Sequence, residues 1–203
     1  MSKTLNSIGI MGGTFDPPHL GHLILACEAI DQLVLEKVLW VLTPSPPHKE
    51  DRDISPLEQR KQLLLDAITE DDRFELSNVD INREEPHYAV DTVLILKEQF
   101  PHSKLIYLMG GDSLHDLPTW HDPVGFASAC DQIAVMRRPD VEVDLNNLEV
   151  VVPGIAEKVV FIHAPLLFIS SSEIRERIKS GRTFKWFLPN KVFTSITNNL
   201  YYQ

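Results

Sequence analysis

The chain has 203 residues, and its 19 lysines and arginines stand against 29 aspartates and glutamates, a formal net charge of −10 at pH 7 with histidine neutral. This acidic balance argues against a non-specific binder of nucleic acid or of an anionic membrane, since both need a basic surface, but it allows an anionic ligand in a local basic pocket. With 43% hydrophobic and 24% charged residues, the composition is that of a globular protein and not of a disordered one.

The length favours one domain over residues 1–203, with a mainly helical portion from about residue 164 to residue 203. Cys27 and Cys130 have no metal or redox spacing, so we expect free thiols in a reducing compartment. The sequence shows no signal peptide, and no apolar run approaches the ~20 residues that span a bilayer. We therefore expect a cytoplasmic protein with no membrane partner.

Short apolar runs and helical patterns alternate along the first half of the chain. The runs predict strands at 7–11, 37–43 and 73–80. From Leu20 to Leu35, apolar residues at three- and four-residue steps predict a helix. The buried face predicted for it consists of Leu20, Leu23, Ile24, Cys27, Ile30 and Val34. A second helix is predicted to start with Ser55 as N-cap, Pro56 at its first position and Glu58 closing a capping box. Its predicted apolar stripe carries Leu57, Lys61, Leu64, Leu65 and Ile68.

The second half of the chain continues the alternation. Strands are predicted at 104–110, 132–137 and 158–163, and helices at 89–99, 123–129, 171–180 (with Gly181 as a stop) and 189–199. Residues 139–157 are acidic and loop-like. Continuous apolar strands that alternate with helices predict an α/β fold, a Rossmann-like doubly wound parallel sheet with flanking helices and a small C-terminal helical extension.

The stretch GGTFDPPHLGH, residues 12–22, follows the first predicted strand. Gly12 and Gly13 allow a ligand to approach the backbone, and the prolines delay the start of the helix. His19 and His22 then share one face of the first helical turn, beside amides that favour an anion. Two imidazoles there suit phosphate oxygens, although ordinary surface histidines or a metal pair remain alternatives. No cysteine or carboxylate stands at a helical spacing that would complete a metal site.

A second phosphate-type pattern is ISSSEIRERI, residues 169–178. Ser170 with Glu173 forms a capping box, which alone explains two of these residues. Ser171, Ser172 and Arg175 add hydroxyls, amides and a guanidinium that suit a polyphosphate. A third pattern, PSPPHK at residues 44–49, presents His48 and Lys49 on an extended loop, either as a phosphate contact or as a solvated loop.

Together these motifs resemble the nucleotidylyltransferase superfamily and, more narrowly, the nicotinate-nucleotide adenylyltransferase family. The narrower resemblance rests on five segments in family order that span nearly the whole chain. They are residues 12–22, 44–49, 87–93, 108–120 and 136–139. The resemblance implies an enzyme that joins ATP to nicotinate mononucleotide with Mg²⁺, releasing pyrophosphate, and it leaves a homo-oligomer possible.

The resemblance also implies roles for individual residues. His19 and His22 are expected to be catalytic, and the ATP site is expected to comprise Gly12, Gly13, Thr14, Phe15, Lys49, Ser171, Ser172 and Arg175. The nicotinate mononucleotide site is expected to comprise Tyr88, Ala89, Thr92, Asp112, Trp120, Arg137 and Arg138. Ala89 stands where the family often has threonine, which leaves backbone amides as the expected carboxylate donors. Strand alternation directs only one of Arg137 and Arg138 toward the ligand. No protein side chains are expected to hold a metal, because Mg²⁺ would be held chiefly by phosphates and water.

Other interpretations of the same residues remain open. Trp120 is also consistent with a core residue, and Asp112 with a loop cap. For the whole chain, the alternatives are another nucleotidyltransferase, such as a phosphopantetheine adenylyltransferase, and a nucleotide-binding regulatory module without turnover.

Overall fold

A computed structural model describes residues 6–45, 54–137, 144–165 and 167–203 of the chain. The strands of these residues form one sheet in which every neighbouring pair is parallel. They are β1 (Asn6–Gly13), β2 (Lys37–Leu42), β3 (Phe74–Ser77), β4 (Ser103–Gly110), β5 (Gln132–Met136) and β6 (Val159–Ile162). The order β3-β2-β1-β4-β5-β6 reverses direction between β1 and β4. This confirms the predicted doubly wound α/β fold.

Helices cover both faces of the sheet. Those of the described residues are α1 (Leu20–Leu33), α2 (Leu57–Ile68), α3 (Ala89–Gln99), α4 (Gly111–Asp116), α5 (Pro123–Ala129), α6 (Leu145–Val151), α7 (Ile155–Lys158), α8 (Ser171–Lys179) and α9 (Asn190–Asn199). Two short 3₁₀ turns lie at Leu117–Thr119 and Lys185–Phe187. In the part of the chain that the structure describes, no helix has the length and apolarity that a membrane crossing requires.

The hydrophobic core has two layers, one on each face of the sheet. In β1, Ile8 and Ile10 point into the layer beneath α3 and α5, whereas Met11 points into the layer beneath α1, α2, α8 and α9. Strands covered on both faces must be apolar along their whole length, which explains the continuous apolar runs of the sequence.

The buried face of α1 differs from the predicted one. Of the six residues predicted to face the core, Ile30 alone is buried, and Val34 is 83% exposed in a left-handed conformation just after the helix. The residues that pack inward are Gly21, Leu25, Ala26, Ala29 and Ile30. Apolar residues surround this helix on most sides, so its periodicity did not determine the face. The small side chains of Gly21, Ala26 and Ala29 let the helix approach the sheet closely.

The start of α2 was also predicted incorrectly. The helix begins at Leu57 with Pro56 as N-cap, and no side chain caps it. The main chain of Ser55 is used instead: its amide donates to Asp16 and its carbonyl accepts from Arg60. Of the residues that carry the predicted stripe, Leu64 and Ile68 are buried and Leu57 packs against the core, whereas Leu65 is 40% exposed; Arg60, which the pattern did not single out, is buried.

Residues 139–157 were predicted to be loop-like, and this is wrong for residues 145–157, which contain α6 and most of α7. Asp144 caps α6, with its Oδ1 accepting from the amides of Asn146 and Asn147. The sequence also gave no sign of α4, directly after β4. Helices of one or two turns have too few residues for a periodic pattern to be recognised. At the other end of the chain, Gly181 follows α8 with φ 68°, as predicted for a helix stop.

Candidate active site at the carboxyl ends of β1 and β4

The site begins where β1 runs into α1. His19 is the N-cap of α1 and His22 lies three residues further on. Their rings stack with centroids 3.7 Å apart and planes at 20°. His19 is 4% exposed, and Phe15 packs edge-on against the His22 ring from below, 5.1 Å away. The histidine pair is therefore a packed unit at the first turn of the helix.

A hydrogen bond fixes the protonation pattern of His22. The backbone amide of His19 donates to His22 Nδ1 over 3.1 Å. A nitrogen that accepts a hydrogen bond carries no proton, so the proton of the neutral ring lies on Nε2. His22 is thereby fixed as a hydrogen-bond donor through Nε2, at a helix start whose dipole favours anions.

The loop between β1 and α1 has little spare room. A Cβ on Gly12 would collide with the hydroxyl of Tyr107 in β4, so only glycine fits at this position. Phe15 has a φ of 46° and its side chain is 2% exposed. The ring of Phe15 belongs to the core and supports His22, which leaves the backbone as the part available to a nucleotide; the contact itself stays a prediction.

The start of α8 lies against the same loop. Ser171 Oγ donates to the carbonyl of Pro17 over 2.8 Å, and Arg175 Nη1 donates to the carbonyl of Asp16 over 2.6 Å. Ser170 caps α8 by accepting from the amide of Glu173, as predicted. The first amides of a helix have no partner within it, so α8 directs N–H groups at the space beside the loop. The two helix starts singled out in the sequence therefore meet.

Between the two helix starts lies a polar cavity of about 380 Å³. Most of the residues predicted for ATP line it. Its walls are formed by Gly12, Gly13, Thr14, Phe15, Asp16, His19, His22, Ile54, Asp112, Ser113, Ser170, Ser171, Ser172 and Arg175. Lys49, also predicted for ATP, and its neighbour His48 lie outside the described residues.

A second, more apolar cavity of about 200 Å³ adjoins the first and shares Gly12, His19, His22, Asp112 and Ser113 with it. Trp120 lines it, packed edge-on against Tyr107 and Phe126 with centroids at 6.4 and 5.2 Å. Met136, Leu167 and Ile169 also contribute apolar surface. One polar and one apolar compartment with a shared histidine pair can hold two ligands that react at their junction.

Of the other residues predicted for the acceptor nucleotide, Tyr88, Ala89, Thr92 and Arg137 do not line either cavity. Tyr88 stacks on His121, the neighbour of Trp120, with centroids 3.8 Å apart, so the Tyr88–Ala89 loop and the Trp120 segment adjoin. Thr92 is buried, and its hydroxyl donates to Asp80 Oδ1 over 2.7 Å. That hydroxyl is therefore engaged within the protein.

Of the two arginines predicted for the acceptor nucleotide at residues 137–138, the structure describes the first. Arg137 is exposed, and its guanidinium lies over the ring of Phe161 at 4.1 Å, a cation–π contact that orients it at the end of β5. Arg138 lies outside the described residues, so the choice between the two stays a prediction.

Sequence reasoning missed Arg60, a buried arginine of α2 that is 2% exposed. Its guanidinium donates to the carbonyls of Thr14, Thr43 and Pro44, which belong to the loops after β1 and β2. Burial lowers its pKa, and the negative charge of Asp16 partly offsets this. The available signal was the position of Arg60 on the same helical face as the apolar residues that α2 buries.

The described residues offer no cluster of side chains that would bind a metal ion. Among residues 6–45, 54–137, 144–165 and 167–203, no three histidine, cysteine or acidic side chains cluster closely enough to hold a metal ion. Asp16 uses both carboxylate oxygens within the protein, accepting from Ser55 N and Tyr202 Oη. A cation at this site would have to bring most of its oxygen ligands with it.

Comparison with known proteins agrees with this geometry. Residues 10–177 match the model of the cytidylyltransferase-like family. A probable nicotinate-nucleotide adenylyltransferase of Thermomicrobium roseum is 40% identical over 185 residues, which cover 91% of this chain and 86% of the relative. One of Dehalococcoides mccartyi is 36% identical and covers 95% and 96%.

Among solved structures, the fold is similar to that of Plasmodium falciparum nicotinic acid mononucleotide adenylyltransferase complexed with NaAD, with a TM-score of 0.80, 19% identity and 97% coverage of both chains. The match in sequence extends over nearly the whole chain and includes both helix starts of the candidate site. The chain therefore belongs to the cytidylyltransferase-like family and, within it, to the nicotinate-nucleotide adenylyltransferases.

Proposed function

We propose that this enzyme transfers the adenylyl group of ATP to nicotinate mononucleotide, forming nicotinate adenine dinucleotide and pyrophosphate in NAD biosynthesis. The named relatives support this reaction, and one structural observation carries it: the starts of α1 and α8 converge on a single polar cavity that adjoins an apolar one. The polar cavity suits a triphosphate, and the apolar one suits a ring with its sugar phosphate.

In the proposed reaction, an oxygen of the acceptor phosphate attacks the α-phosphorus of ATP in line. The bond from that phosphorus to the β-phosphate oxygen breaks, and no covalent enzyme intermediate forms. The attacking oxygen is already ionised at neutral pH, so no strong general base is needed. Catalysis then consists of aligning two anions and stabilising the charge that develops. The scheme uses the histidines and serines that line the cavities as hydrogen-bond donors to phosphate and needs none of them as a nucleophile.

For ATP, His19 and His22 hold the triphosphate, with His22 Nε2 donating to the α-phosphate in the transition state. Gly12, Gly13 and the Thr14–Phe15 backbone form the floor. The β- and γ-phosphates lie against Ser171, Ser172, Arg175 and Lys49. The hydroxyl of Ser171 is engaged with Pro17, so the contribution of Ser171 is its backbone amide. Mg²⁺ is held by phosphate oxygens and water.

For the acceptor, Trp120 stacks on the pyridine ring and Asp112 contacts the nucleotide at the junction of the two cavities. The carboxylate of nicotinate binds to backbone amides at the Tyr88–Ala89 start of α3, with Arg137 or Arg138 nearby. Thr92 supports this loop: its hydroxyl lies within hydrogen-bond distance of Asp80 Oδ1 and of the carbonyl of Tyr88, and Arg83 donates to both of these acceptors.

A panel of acceptors tests the proposal. The protein is incubated with Mg·ATP and, separately, with nicotinate mononucleotide, nicotinamide mononucleotide and phosphopantetheine, and the release of pyrophosphate is followed. We expect release with nicotinate mononucleotide above all. Release with phosphopantetheine alone would identify the other transferase, and ATP binding with no release in any mixture would identify a regulatory module.

A further inference from the structure

We propose that Tyr202 is a positioning residue for the ATP site, because its hydroxyl holds the loop between β1 and α1 through Asp16. Tyr202 lies 186 residues from Asp16 in the sequence and makes a hydrogen bond of 2.8 Å to its Oδ1. The inference rests on the proposed function in one respect, namely that this loop binds ATP.

The backbone after α9 turns back to bring Tyr202 to the loop. Leu200 and Tyr202 have φ values of 54° and 66°, a left-handed conformation that is unfavourable for residues with a Cβ. Helix α9 is fixed on α2 by buried apolar side chains and by a hydrogen bond of 2.5 Å from Ser195 Oγ to Asp66 Oδ2. Leu200 ends α9 as its left-handed C-cap, and Tyr202 keeps an unfavourable φ while its ring packs on the core and its hydroxyl bonds Asp16.

Asp16 needs the donors that surround it. Its side chain is almost fully buried, and a buried carboxylate is costly unless its oxygens accept hydrogen bonds. Oδ1 accepts from Tyr202, Oδ2 accepts from the amide of Ser55 at 3.2 Å, and the main-chain oxygen accepts from Arg175. Asp16 thus joins α8, the start of α2 and the residues after α9 at one point of the loop.

The geometry indicates what loss of the hydroxyl would do. Arg175 Nη1 lies 3.8 Å from Asp16 Oδ2, too far for a hydrogen bond but close enough for the carboxylate to attract it. Without Tyr202 as donor, a turn of the carboxylate would draw the guanidinium of Arg175 toward it and away from the cavity. ATP binding would weaken, whereas the Trp120 compartment would be unaffected.

The hydroxyl of Tyr202 remains a hydrogen-bond donor when the pH changes within the physiological range. Burial raises the pKa of its phenol, and the charge of Asp16 raises it further, so the hydroxyl keeps its proton throughout the neutral and mildly alkaline range. A constant hydrogen-bond donor is consistent with holding a loop in position and not with proton transfer.

The test is Tyr202→Phe, with Tyr201→Phe as matched control. Tyr201 is adjacent and packs against the same core layer, but among the described residues its hydroxyl makes no hydrogen bond. Titration calorimetry gives the Kd of Mg·ATP, and steady-state kinetics gives KM for each substrate. For Tyr202→Phe we expect Kd and KM for ATP to rise about tenfold, the effect of losing one charge-assisted hydrogen bond. KM for nicotinate mononucleotide should stay within about twofold, and Tyr201→Phe should match the wild type.

A double-mutant cycle tests the route through Asp16. In an Asp16→Ala background, Tyr202→Phe should cause a much smaller further loss of ATP affinity, since its acceptor is gone and only the contacts of the hydroxyl with Gln59 and Ser55 remain to be lost. If Asp16→Ala does not fold, Asp16→Asn replaces it in the cycle. In that background, the loss of ATP affinity caused by Tyr202→Phe should be smaller than in the wild type.

Three results would overturn the inference: unchanged ATP affinity in Tyr202→Phe, an equal loss for both substrates, or an undiminished loss in the Asp16 background. A wild-type protein that binds no Mg·ATP would instead refute the proposed function, which keeps the two failures distinct.

Discussion

His22 shows how one backbone hydrogen bond prepares a side chain for chemistry. The amide of His19 occupies Nδ1, the ring of His19 stacks on one face of His22, and Phe15 supports its edge. The ring thus has a fixed tautomer and a fixed direction before a ligand arrives. Preorganised donors of this kind stabilise developing charge without reorganisation. The spacing of the two histidines was readable from the sequence, but the tautomer was not, because it depends on the cap geometry.

We expect His22→Ala to lower kcat by about 10²- to 10³-fold, the usual cost of removing one donor to a transition-state oxygen. The melting temperature should fall only modestly, because the substitution removes one part-buried hydrogen bond and the ring contacts with His19 and Phe15 but opens no cavity in the core. His102→Ala is the matched control: His102 is exposed in the turn before β4, at the opposite end of the sheet. Rapid-quench measurements of the first turnover separate chemistry from product release. A near-normal single-turnover rate in His22→Ala would place the histidine away from the reacting phosphate.

At the scale of elements, a side chain of α2 holds the loop after β1 and the loop after β2 in place. Arg60 donates to one carbonyl after β1 and to two after β2, at 2.7–3.1 Å. Its Nε bonds the carbonyl of Ser55, whose amide bonds Asp16. The main chain of a single residue, Ser55, therefore links a buried cation to a buried anion. The planar fork of arginine reaches several carbonyls at once, which lysine cannot do.

Arg60→Leu is expected to lower the free energy of unfolding by about 3–5 kcal/mol, because it leaves three loop carbonyls and that of Ser55 without their donor and removes a positive charge that attracts Asp16. Arg60→Lys should lose less but not be neutral. The neighbouring Lys61→Leu is the control and should stay within about 0.5 kcal/mol, as is usual for surface substitutions. Urea unfolding followed by circular dichroism measures all three. Equal midpoints for Arg60→Leu and Lys61→Leu would contradict the role of Arg60.

At the scale of the whole molecule, the sheet separates two packed layers. The two thiols differ in how far this packing encloses them. Cys130 is 1% exposed, and burial raises its pKa to about 12. Cys27 is exposed on α1, and its pKa is raised by partial desolvation and by nearby acidic residues, Asp71 first among them. Only thiolates react readily, so both thiols are slow at neutral pH, and Cys130 is in addition closed off from reagents by the core.

In a Cys27→Ser variant at pH 8, we expect Cys130 to react with a thiol reagent only when the protein unfolds, because thiol and reagent cannot meet in the native core. Raising the pH to 9 should not make native Cys130 reactive, because burial raises its pKa to about 12 and the thiol keeps its proton. Mg·ATP at about 100 times its Kd should slow the labelling about 100-fold by stabilising the native state. Mass spectrometry over time measures the rate. Fast labelling of native Cys130 would contradict the packing described for the layer beneath α3 and α5.

The sequence by itself determined the elements whose patterns are local. Continuous apolar strands indicated a covered parallel sheet, and glycines, prolines and serines marked the two helix starts that carry the site. It did not determine the phase of α1, because apolar residues on most sides of that helix allow several buried faces, and it did not indicate that Arg60 of α2 is buried. The helices α4, α6 and α7 were too short to show a period.

Only the tertiary structure decided which groups meet. Arg60, Asp16 and Tyr202 come from three separate segments, and their buried polar atoms find partners once α2, the loop after β1 and the residues beyond α9 pack together. A sequence shows which side chains can donate and accept hydrogen bonds. Which donor satisfies which buried acceptor depends on long-range packing, because burial is what makes an unsatisfied group costly.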